Sequence, residues 1–256
     1  MSDFESTPVP PRLYGVPAIE PAPLGTNPEE LQPIRSPFVA VEAILRQPRR
    51  VMCQLRQPGA GRLIAAMLLV AVMCSLGYGA VIGTFSMKSQ LWAAPVKVAA
   101  GLLLSTVICL PSLYIFTCLS GSRARLSETC GLAAGLLMLT TILLIGFAPV
   151  AWLFSQSTNS AAGMGALHLA FWFICLIFGL RFLDCGFSHT QTRSAAGLRT
   201  WMCIFVLVTV QMTTALRPLV GTADTFLPKE KKFFLTYWND CLAPPAAETP
   251  PRGQGQ

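Results

Sequence analysis

The sequence predicts an all-α membrane protein, a bundle of about five transmembrane helices behind a proline-rich disordered N-terminal arm. Three observations carry that prediction. Of the 256 residues, 53% are apolar and only 12% are charged, with a mean hydropathy of +0.55, whereas a soluble domain is about a quarter charged. Charge-free runs recur along the chain, several near the ~20 residues that a crossing helix needs. The basic residues gather beside those runs, seven of the 19 Lys and Arg preceding the first of them. In a soluble protein a formal charge of +7 would suggest nucleic acid. In this placement it points to a membrane surface and to orientation, with no nucleic-acid partner.

Residues 1–36 form the arm. Eleven of the 20 prolines fall in the first 58 residues, and such a composition does not build a packed core. Pro8 and Pro11 make one PxxP, the pattern that docks on aromatic-lined grooves, so a protein partner is expected through this arm. Residues 37–61 read as a basic amphipathic interfacial segment. Phe38, Val41, Ile44 and Leu45 recur at helical spacing, Pro48 breaks the run, and Val51, Met52 and Leu55 resume it. Arg46, Arg49, Arg50 and Arg56 are interleaved, which suits two short helices on the anionic surface of a lipid bilayer. The same pattern suits a collar packed beneath the bundle. The sequence leaves both open.

The bundle is expected over 62–221. Residues 63–87 lie without charge between Arg62 and Lys88, and 98–122 between Lys97 and Arg123. From Thr129 to Leu180 there is no charge at all, room for two crossings divided by the polar stretch 155–165. Thr200–Leu216 has 17 residues, near the minimum, and Arg217 can snorkel to extend it. The spans are therefore placed near 63–85, 98–120, 130–154, 166–184 and 200–219. No cleavable leader is read before the first of them, which should insert as an internal signal-anchor. A cytoplasmic N-terminus puts 12 basic residues on that side and leaves Lys88 and Lys97 by the opposite loops. Five crossings then place the C-terminus outside, in a plasma or inner membrane. Arg217, Lys229, Lys231, Lys232 and Arg252 dissent. Residues 222–256 read as an interfacial segment, with Phe233, Phe234, Tyr237 and Trp238 beside the lysines, followed by a disordered tail.

Within the spans the packing signal comes from small residues. Ser75, Gly79 and Gly83 recur every four residues, as do Gly131 and Gly135. Such spacing lets two backbones approach, either inside one bundle or in a homo-oligomer. Pro111 and Pro149 each free a backbone carbonyl and kink a helix. Arg181 and Asp184, at i,i+3, should pair locally. His168 is the lone imidazole at membrane depth, with no carboxylate beside it. Six cysteines fall within spans and read as packing residues; without a CxxC, and with two histidines, no metal site or other cofactor is expected. No Walker A, GxGxxG, HExxH or GxSxG pattern marks catalytic residues.

The segment SPFVAVEAILRQPRR before the first span, and the second span ending LPSLYIFTCLSG, resemble the Yip (Ypt-interacting protein) family of five-span membrane proteins, in its bacterial form. The resemblance covers roughly residues 36–220. It implies a cytoplasmic N-terminus, an opposite C-terminus and no enzymatic activity. Eukaryotic members are linked to Rab GTPases and vesicle traffic. Together these features point to a non-enzymatic scaffold or adaptor in membrane organisation or trafficking. The alternative is a small permeation or transporter component built around Pro111, Pro149 and His168.

Overall fold

The computed structural model describes residues 23–86, 90–122, 124–157, 161–189 and 196–215. Pro8 and Pro11, Arg217 and the aromatic segment around Phe233 and Trp238 lie outside them. A 3-10 turn, Pro28–Leu31, is followed by α1 (Pro37–Arg46), α2 (Pro48–Leu55), α3 (Ala60–Ser86), α4 (Gln90–Leu119), α5 (Leu126–Ser157), α6 (Ala161–Ser188) and α7 (Ala196–Ala215). Four helices are long and apolar enough to cross a membrane: α3, α4, α5 and α6. The fifth expected span corresponds to α7, whose apolar stretch, Ala196–Met212, is shorter.

Local chemistry sets the helix ends. Ser36 caps α1, its hydroxyl accepting the Val39 N–H at 3.3 Å, with Pro37 in the first turn. Pro48 cannot continue α1 and instead opens α2. After α4, Gly121 takes a φ of 75°. Its N–H and that of Ser122 donate to Cys118 and Thr117, both at 3.0 Å, in a Schellman stop.

The five long helices pack in the order α6, α5, α3, α4, α7: α3 lies against both α4 and α5, α6 against α5, and α7 against α4. Gly135 faces Phe182 while Gly186 faces Leu132, so α5 and α6 run antiparallel. α1 packs on α3 and α5, and α2 reaches α3, α5 and α6. The two short helices thus cap the end where α3, α5 and α7 begin and α4 and α6 finish. The outer faces carry Leu69, Met73, Leu104, Val107, Ile108, Ile174 and Ile177, all exposed. An apolar exterior of this kind suits lipid and not water. Trp92 and Trp152, also exposed, both sit at the end away from the collar, as interfacial aromatics do.

Two expected boundaries move. Composition predicts a disordered arm over 1–36, but residues 23–36 form a strap bound to α2 through Glu30, Gln32, Pro33 and Ile34. Proline-rich composition gave no hint that carbonyls here would meet arginine donors. The charge of Lys97 predicts a second span from residue 98; α4 begins at Gln90 and carries Pro95 and Lys97 inside it. A single cation does not stop a helix whose backbone bonds are satisfied.

Candidate functional site

The collar is the most highly connected polar region. Arg49 Nε donates to Glu30 Oε1 at 2.6 Å, and its Nη2 to the Pro23 carbonyl at 3.1 Å. The other Glu30 oxygen accepts the Gly25 N–H at 2.6 Å. Glu30 is 4% exposed. The Arg49 hydrogen bond holds its carboxyl below the ordinary value, against the opposing effect of desolvation, with help from the Gly25 N–H. Arg50 donates to the carbonyls of Gln32 at 3.0 Å and Pro33 at 3.4 Å, and to Gln47 Oε1 at 3.3 Å. Gln54 accepts the Ile34 N–H at 2.9 Å and donates to the Gln32 carbonyl. Arg56 donates to the His189 carbonyl at 2.8 Å, tying the end of α2 to the end of α6. Burial, then the charges of Arg49 and Arg56, push the His189 imidazole down.

Of the four arginines assigned to a membrane surface, Arg49, Arg50 and Arg56 therefore engage the chain itself. Arg46 remains outward, with only Glu42 at 3.4 Å in an exposed i,i+4 pair. Between the 3-10 turn and the α1–α2 junction, Asn27, Glu29, Arg46, Gln47 and Arg50 border a cleft of about 220 Å³. α2 itself is a wedge, with Val51, Met52, Cys53, Gln54 and Leu55 all buried. Cys53 is buried in this wedge, and desolvation there raises its thiol.

Three of the five small residues, Gly79, Gly131 and Gly135, serve contacts within the chain. Gly131 lies under the Leu55 side chain, so a Cβ there would collide with it, and Gly135 lies equally close to the Phe182 ring. Gly79 meets the backbone of Pro95, 2.5 Å from where its Cβ would stand to the Cα. Ser75 is buried and returns its hydroxyl to the Ala71 carbonyl at 2.7 Å. Gly83 is buried as well. Pro111 and Pro149 lie inside α4 and α5 on exposed positions. Beside Pro111, the Trp201 indole of α7 donates to the Cys109 carbonyl at 2.9 Å and to Ser112 Oγ at 3.2 Å. Arg181 and Asp184 are both exposed and form no ion pair with each other; at a solvated surface such a pair contributes little.

A second polar group lies in the bundle. Tyr78 Oη and His168 Nδ1 are 2.8 Å apart and buried, with the rings edge to face. His168 is 7% exposed, and its Nε2 has no hydrogen-bond partner. Lys97 is 1% exposed. Because Gly79 faces Pro95, Lys97 and Tyr78 lie within about 2 Å of the same depth at 1.5 Å rise per residue. Every other charged side chain among the described residues lies toward the collar end. In the sequence Lys97 reads as the border of the second span; the apolar LWAA before it is the signal that the helix starts earlier. Nothing in the sequence could pair Tyr78 with His168, 90 residues away.

Among the described residues no three His, Cys, Asp or Glu side chains come together as metal ligands. Compared with known protein families, curated proteins and solved structures, the chain matches none.

Proposed function

We propose that the chain is a non-enzymatic, multi-pass membrane scaffold or adaptor of Yip-like topology. In this reading α3 to α7 cross the bilayer, the collar end faces the cytoplasm, and residues 1–22 offer a proline-rich ligand to a cytoplasmic protein. The observation that carries it is the segregation of charge. Nine arginines and five acids, counted among the described residues, lie toward the collar end, while Lys97 is the one charge deeper in. A positive excess at one end is what a cytoplasmic side requires. The strap supports the assignment of the arm, because Arg49 fixes its start at the Pro23 carbonyl. Whatever binds residues 1–22 is then held close to the membrane.

A second reading, a permeation or transporter component, rests on the layer of Tyr78, His168 and Lys97. Ionisable side chains inside a bundle commonly mark a solute path. One experiment separates the two. Cross-linking and mass spectrometry in native membranes should find partners for the full chain that are lost when residues 1–22 are removed. Unchanged partners, together with solute flux through liposomes holding the purified chain that ceases in His168→Leu, would overturn the scaffold in favour of permeation.

A further inference from the structure

α1 has two faces of opposite fate. Ala40, Ala43 and Ile44 are almost fully buried against the bundle. On the outer side Phe38 is 87% exposed and Leu45 49%, with Val41 half-buried beside them. Positions 38, 41 and 45 are spaced i, i+3 and i+7, one stripe on a helix. Glu42 and Arg46 border that stripe, and Arg35, also exposed, precedes the helix. In water this phenylalanine would leave most of its ring solvated, with no folding gain from its presence.

The position of α1 says what covers the stripe. The helix packs on α3 and α5, near the end where their apolar outer surfaces leave the hydrocarbon, and the charge there is net positive. An apolar stripe edged by arginine at that level matches the headgroup and acyl boundary of a leaflet. We propose that α1 is an in-plane interfacial helix, seated by Phe38 and Leu45 in an anionic leaflet, with Arg35 and Arg46 at the headgroups. The surface contact expected of Arg46, Arg49, Arg50 and Arg56 thereby passes to α1, since the last three are bonded to the strap and to α6. This rests on the reading that the bundle spans a membrane, and it leaves the 1–22 arm free for a protein.

The test uses the full-length chain in vesicles of equal parts phosphatidylcholine and phosphatidylglycerol. A photoreactive p-benzoyl-phenylalanine replaces Phe38, Leu69 or Glu29 in turn, all three being exposed. After irradiation, mass spectrometry should find lipid adducts at position 38 of the same order as at 69 on the outer face of α3, and none at 29 on the strap. Adduct yield at 38 should fall when phosphatidylglycerol is omitted, and equal yields in both compositions would overturn the role given to Arg35 and Arg46. Lipid adducts at 69 with none at 38, or adducts at 38 to a second copy, overturn the inference alone. Absence of adducts at both 38 and 69 overturns the spanning reading together with it.

Discussion

Gly79→Ala offers the sharpest test of how the bundle is assembled. The added Cβ would stand 2.5 Å from the Pro95 Cα, 3.0 Å from its nitrogen and 3.1 Å from the Ala94 carbonyl oxygen. Carbon atoms in contact rest at about 3.5–4.0 Å, so α4 must withdraw by about 1 Å, and a gap of that size forfeits up to about half of each contact's dispersion energy. Overpacking costs about 1–3 kcal/mol. Because the obstructing atoms belong to the backbone of α4 and cannot rotate away, the cost should fall near the upper figure. Alanine's better helix propensity returns about 1 kcal/mol. The net loss is about 2 kcal/mol, roughly a thirtyfold change in the folded-to-unfolded ratio. Titration from mild detergent into dodecyl sulfate, followed by tryptophan fluorescence, measures it. Gly135→Ala meets the ring of Phe182, which can turn, and should lose less. Gly146 has nothing within 4 Å of a Cβ, so Gly146→Ala should be neutral or slightly stabilising. If Gly79→Ala unfolds at or above the wild-type midpoint while Gly146→Ala is unchanged, the α3–α4 crossing is not held by this contact.

Four further outcomes are expected. Trp201→Phe removes the indole donor to Cys109 and Ser112 and should cost about 1 kcal/mol, detected as earlier proteolysis of α7 in detergent with the other helices unaffected; equal protection would exclude that bond as the tether. Tyr78→Phe and His168→Leu should each destabilise, and the double variant should fall short of their sum by roughly 0.6–1.7 kcal/mol, whereas strict additivity would mean that the two side chains do not interact. The carboxyl of Glu30 is held below its ordinary value near 4.5 by Arg49, assisted by the Gly25 N–H and the nearby His189. Its stabilisation of the strap is therefore complete above that pH and is lost as the pH falls through the lower, folded-state value. Amide exchange at Gly25 and Ile34, corrected for intrinsic rate, should accelerate on acidification in the wild type; the same acceleration in Glu30→Gln would assign it to another group. Finally, Cys53, buried with its thiol raised by desolvation, should react with a maleimide far more slowly than a cysteine placed at exposed Gln32, and equal rates would show the wedge to be open.

Much of the fold was legible because its causes are local. Charge-free runs, the helical spacing of Phe38, Val41, Ile44 and Leu45, and Pro48 at the break all act within a turn or two of themselves. They set where α1 and α2 part and where the long helices lie. The candidate site was legible in composition but not in allocation. Four arginines were recognisable as a collar; that Arg49 meets Glu30, and Arg50 the carbonyls of Gln32 and Pro33, follows from how the strap folds back on α2.

By itself the sequence determined the class of the molecule, all-helical and apolar enough for a membrane, and the small-residue positions on which close packing depends. Hydropathy and backbone propensity are properties of short segments, and a charge in hydrocarbon is costly wherever it falls. Only the tertiary structure decided which partner each of those positions receives. Gly79 meets a proline backbone, Gly131 a leucine from the collar, and Tyr78 a histidine 90 residues away. Lys97, a natural border in the sequence, became an interior residue in the same way. Such pairings depend on the register of one helix against another. A shift of a single residue rotates a helical side chain by about 100°, and that register is set by the packing of the whole bundle.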